Sequence, residues 1–135
     1  MDSIVVDAAN RPAGRVASSA AKNLLEGKTV LIVNAGLAIV SGNPRYSIGV
    51  FSGKVKRGDP YHGPFYPRQP DRILRRIVRG MLPKKARGRE ALRRLRVVSD
   101  MPEGFKGIDM KPRANAPAYK HITLKRLSRS VGGTA

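Results

Sequence analysis

Two short β-branched runs flanking one amphipathic run, all within the first 33 residues, leave this chain few folds to choose from. Ser3-Ile4-Val5-Val6-Asp7 is bounded by a loop containing Asn10 and Pro12 and reads as a buried strand. From Gly14 to Glu26, Val16, Ala20 and Leu24 recur at four-residue steps beside Ala17, Ala21 and Leu25. The result is one broad helical face of small residues that can pack closely on a flat surface. Gly27 stops that helix, and Thr29-Val30-Leu31-Ile32-Val33 is the continuous apolar run of a strand covered on both faces in a parallel sheet. The unit is β-α-β, its crossover is expected to be right-handed, and the fold class is α/β.

Leu37-Ala38-Ile39-Val40 fits a short strand or a turn of helix, and Ser41-Gly42-Asn43-Pro44 ends it with turn chemistry. Residues 45–57 place Ile48, Phe51 and Val55 at helical spacing, with Lys54, Lys56 and Arg57 at the end where a helix dipole favours cations. The proline- and glycine-rich stretch from Gly58 to Pro67 is expected to be a loop dividing the chain. Between Pro70 and Leu82 the line Ile73, Ile77 and Met81, with Leu74 and Val78 beside it, predicts an amphipathic helix. Arg72, Arg75, Arg76 and Arg79 fall on its opposite side, and Pro83 ends it. A basic turn, Lys84-Lys85-Ala86-Arg87-Gly88-Arg89, leads to a helix over 89–95 and a last sheet strand at Val97-Val98. From Pro102 to Ala135 apolar residues are scattered, so this stretch is expected to contribute no core. It reads as a basic extension that orders on a partner, with Tyr119 to Leu127 its most regular part. The expected organisation is an α/β body over 1–101 and a basic extension over 102–135.

Charge defines the partner. The 135 residues carry 27 Lys and Arg against 9 Asp and Glu, a formal charge of +18, which strains any compact body that lacks a polyanion. Residues 1–44 net only +1, so almost all of the excess follows the β-α-β unit. Arginine outnumbers lysine 17 to 10, which suits bidentate phosphate contacts. The four arginines of the 70–82 helix stand within a turn of one another with only Asp71 beside them, and such crowding destabilises a helix unless phosphate relieves it. Arg72, Arg75, Arg76, Arg79, Lys84, Lys85, Arg87, Arg89, Arg93 and Arg94 are the expected main RNA face, and Lys120, Lys125 and Arg126 a second contact. Specificity is expected from RNA shape and from the loop 58–69.

Other chemistries fail on inspection. Gly27-Lys28-Thr29 imitates the end of a phosphate loop, but the required earlier glycine would fall at Lys22, inside a helix. The absence of cysteine excludes disulfides and thiolate sites. His62 and His121 each sit among cations, and the carboxylates form no acid and base pair, so neither catalysis nor a metal or other cofactor is expected. Seven aromatic residues are few for a stacking platform. The apolar run Val30 to Val33 is far too short to span a bilayer, and Met1-Asp2-Ser3 lacks a secretory leader's pattern, so a cytoplasmic home is expected.

Several blocks, in order, resemble the universal large-subunit ribosomal protein thirteen family in its archaeal and eukaryotic branch. They are Asp7-Ala8, Gly14-Arg15-Val16-Ala17, Leu24-Leu25-Glu26-Gly27, Val30 to Ala35 and Ser41-Gly42-Asn43. The most specific is Arg79-Gly80-Met81-Leu82-Pro83-Lys84 with Arg87-Gly88, Ala91-Leu92, Leu95 and Val97. Gly63-Pro64-Phe65 and Pro70 with Arg72-Ile73 point to that branch, and the short stretch after Phe105 to an archaeal source. Ala13 stands where the family usually has leucine, and Asp59 where asparagine is expected. The resemblance implies a three-layer α/β/α domain with a mainly parallel sheet. It also implies a structural role in the large ribosomal subunit, binding its rRNA early in assembly beside neighbouring ribosomal proteins. A free RNA-binding regulator of translation would use the same basic face.

Overall fold

The computed structural model describes residues 3–56, 67–101, 115 and 117–132. Strand β1 (Ser3–Asp7), helix α1 (Ala13–Leu25) and strand β2 (Thr29–Val33) form the expected unit, with β1 and β2 parallel and Ser3 opposite Thr29. Gly27 at φ +93° makes the turn from α1 into β2, a conformation that costs a residue without a Cβ nothing. Val16, Ala17, Ala20, Ala21 and Leu24 are all buried in one core with Val6, Val30 and Ile32. On the other sheet face Val33 is fully buried, whereas Val5 and Leu31 are half-buried and Arg96, in register with Leu31, is exposed.

The undecided stretch resolves into both alternatives. A single 3-10 turn at Ala35–Leu37 follows Asn34, which sits at φ +57° with its amide donating to the buried Asp7 carboxylate. Strand β3 (Ile39–Ser41) comes next, and helix α2 (Pro44–Lys56) buries Ser47 and Phe51 while Lys54 covers the Phe51 ring at 4.9 Å. The loop over 58–69 lies, as far as residue 66, outside the described residues.

Helix α3 (Pro70–Gly80) is shorter than its periodicity suggested, and its buried line is Ile73, Leu74 and Val78. Ile77 is only half-buried and Met81 is exposed, because the helix stops after Gly80 and the turn carries Leu82 inward instead. Helix α4 spans Ala86–Arg93 and not 89–95: much of the basic turn is itself helical, Lys85 providing the extended residue before it. Leu95 leaves the helix to open strand β4 (Leu95–Val97), which pairs parallel to β2 with Val30 opposite Leu95. The ladder runs on as Val98 donates to the Ile32 carbonyl at 2.8 Å, so the sheet order is β1-β2-β4.

The expectation that nothing after residue 102 contributes core is corrected by strand β5 (His121–Thr123) and helix α5 (Leu124–Ser130). Strand β5 pairs antiparallel with β3, Ser41 opposite His121, which makes a second sheet and leaves β4 short of being the last strand. Ile122, Leu124 and Leu127 are at most 1% exposed and belong to the same core as the β-α-β unit. Three apolar residues at 122, 124 and 127 are too few to announce a core element by themselves; a strand that turns directly into a helix aims all three at one surface. The Thr123 hydroxyl, accepting from the Arg126 amide, starts that helix. Residues 102–114 lie outside the described residues.

Candidate nucleic-acid interface

Helices α3 and α4 meet at a turn that packs backbone against backbone. A Cβ added at Gly88 would lie 1.8 Å from the Pro83 carbonyl oxygen, so only glycine lets the turn cross the first part of α4. That crossing leaves an open cleft of about 450 Å³ between the two helices. Arg76, Arg79, Lys84 and Arg89 line it, over a floor that includes Leu82, Pro83 and Leu92. Arg72, Arg79, Lys84, Lys85, Arg89 and Arg93 are exposed, and among the described residues none of them stands in an ion pair. Six such cations on two short helices and the turn between them repel one another, and a phosphate backbone laid along the cleft would relieve that.

Three of the expected contacts turn elsewhere. Arg75 does not stand on the outward face: it is half-buried and donates to the carbonyls of Leu95 at 2.8 Å and Leu92 at 3.3 Å, tying α3 to the α4–β4 junction. Arg94, also half-buried, donates to the Leu24 carbonyl at 2.6 Å, and Arg87 to the Leu25 carbonyl at 3.3 Å. Both serve the last turn of α1, where the helix dipole favours a cation, and the Leu24 carbonyl accepts from the Gly27 amide as well. Composition could not separate these three from their neighbours, because a guanidinium that binds a carbonyl and one that awaits a phosphate look alike in sequence. Lys120 and Arg126 are exposed and Lys125 half-buried. The Lys125 stem lies near Gly36 and Ser99, beyond the C-terminal ends of β2 and β4, while the α3–α4 cleft lies toward the start of those strands. The second group therefore does not line the cleft, although α5, which carries Lys125 and Arg126, packs against α3.

Among the described residues no three His, Asp or Glu side chains gather as a metal site would require, and no helix is long and apolar enough to cross a membrane. His121 is engaged with the Tyr119 carbonyl at 2.9 Å. A basic α/β body whose outward cations line a cleft between two helices has the charge pattern that a polyanion would neutralise. Within that class the comparison with known proteins is specific: the chain belongs to the ribosomal protein L13 family, whose model matches residues 1–103. It is 41% identical to the large ribosomal subunit protein uL13 of Methanopyrus kandleri, over 95% of this chain and 86% of that one. It is 39% identical to the protein of the same name from Archaeoglobus fulgidus, over 97% and 88% of the two chains. With that of Thermoplasma volcanium it shares 38% identity over 96% and 98%.

Proposed function

We propose that this protein is a structural constituent of the large ribosomal subunit that binds large-subunit rRNA, contacts neighbouring ribosomal proteins and supports assembly, without enzymatic activity. The convergence of Arg76, Arg79, Lys84 and Arg89 on one cleft carries the reading, since family membership names the particle and the cleft supplies a grip. Arg72, Lys85 and Arg93 extend that grip along the exposed sides of α3 and α4. Arg75, Arg87 and Arg94 fix its shape by binding backbone carbonyls, Arg87 keeping its other donors for phosphate. Lys120, Lys125 and Arg126 form a separate contact elsewhere on the body. Sedimentation of the native protein on a sucrose gradient, before and after a high-salt wash, tests the proposal. One copy per large subunit is expected, and a mainly soluble pool would favour the free-regulator reading.

A further inference from the structure

A second concave site lies at the other end of α1. The chain before this helix is held against β3: Ile39 donates to the Arg11 carbonyl at 2.9 Å and Pro12 bridges to Ile39. Strand β3 is in turn held to the chain entering β5, where Gly42 donates to the Lys120 carbonyl at 2.8 Å. These bonds surround an open cavity of about 490 Å³ lined by Pro12, Arg15, Ser41 and Tyr119. Arg15, Ser41 and Tyr119 are all exposed, so packing does not require them. Among the described residues neither the Arg15 guanidinium nor the Ser41 hydroxyl has a partner. The Tyr119 ring meets His121 edge-on, centroids 6.4 Å apart at 82°, a contact that orients the ring while leaving it 46% exposed.

We propose that this cavity takes a single unpaired nucleotide of the bound RNA, its base stacked on Tyr119, its phosphate on Arg15 and a ribose or base-edge hydrogen bond at Ser41. The inference rests on the RNA-binding reading above and adds a site to it. One fixed aromatic ring, a free guanidinium and a free hydroxyl around a hollow are what an extruded nucleotide needs. The volume falls in the range of small-molecule pockets. Helix α1, about 20 Å long, has this hollow at its N-terminal end and is bound at its C-terminal end by Arg87 and Arg94, so a rigid rod links the pocket to the element that carries the phosphate grip.

The test is nucleotide-resolution chemical probing of protein-free archaeal large-subunit rRNA with the full chain and its variants. The wild-type protein should alter the reactivity of one unpaired nucleotide outside the footprint of the α3–α4 cleft. Tyr119→Ala and Arg15→Ala should each restore that nucleotide's free reactivity, and Tyr119→Phe should not. Tyr119→Ala should also weaken binding roughly five- to hundredfold, the range for loss of one stacked base. The Arg72→Glu/Arg79→Glu variant should lower affinity yet keep the same nucleotide signature at saturation. Wild-type affinity and an unchanged signature in Tyr119→Ala would overturn the inference while leaving rRNA binding intact. A loss spread evenly over the footprint, or crosslinking of position 119 to a neighbouring protein in assembled subunits, would overturn it too. Failure of the wild-type chain to bind rRNA would overturn the underlying reading as well.

Discussion

Gly88→Ala sets two physical effects of opposite sign against each other. Gly88 lies inside α4 with an ordinary helical backbone, and there alanine should stabilise by up to about 1 kcal/mol through helix propensity and a stiffer unfolded chain. Against this, the new methyl would meet the Pro83 carbonyl oxygen at 1.8 Å and its carbon at 2.8 Å. An ordinary contact needs more than 3 Å, so backbone must move by over an ångström, and the buried Leu82 next to Pro83 resists that movement. Overpacking costs typically 1–3 kcal/mol, and an encounter with backbone sits near or above the top of that range. The net expectation is destabilisation by about 2 kcal/mol, or a fall in Tm of roughly 6–10 °C for a domain of this size. Urea denaturation of the RNA-free protein should show a lower midpoint at unchanged m-value. Gly49→Ala is the control: it sits in α2 with nothing within 4 Å, so propensity acts alone and stability should rise by a few tenths to about 1 kcal/mol. A Gly88→Ala protein as stable as the wild type would refute the close-packed turn and, with it, the geometry of the cleft.

Reversing both Arg72 and Arg79 to Glu should sharply weaken RNA association while leaving the helical circular dichroism intact, since both side chains are exposed; loss of helicity would contradict the assignment of faces. Wild-type affinity for rRNA should fall steeply with salt through counterion release, and a flat response in a filter-binding titration would rule out a phosphate-dominated interface. Arg94→Ala should cost about 1–3 kcal/mol in thermal or chemical unfolding, because the α1 C-terminus loses its cation and carbonyl partner. Arg89→Ala, at an exposed site, should be near neutral for stability and weaken RNA binding. Leu127→Ala should destabilise the RNA-free protein by about 2–5 kcal/mol; an unchanged midpoint would mean that α5 is dispensable to the core.

The β-α-β unit was legible from the N-terminal third because local signals there agree: β-branched runs, four-residue apolar steps and a glycine at the turn all name the same elements. Helix α3 was legible in kind but not in register, since five apolar residues allow two neighbouring lines and only the packing chose Ile73, Leu74 and Val78 over Met81. The stretch around Tyr119 to Leu127 was expected to be regular, and it is, but its place in the core was not legible, because a strand of three residues running straight into a helix of seven shows neither period for long enough.

What the sequence determined by itself was the class of fold, the large excess of positive charge and the stretches of chain that carry it. Charge and short-range periodicity are local, additive properties that survive without a fold. Only the tertiary structure decided which arginines face outward. Arg75 and Arg94 lie where backbone carbonyls of Leu95, Leu92 and Leu24 arrive from 17 to 70 residues away. It also decided that Arg15, Ser41 and Tyr119, which no linear pattern groups, share one hollow. A hydrogen-bond partner supplied by a distant segment has no trace in the residues beside it, so the two fates of an arginine separate only when the chain closes on itself.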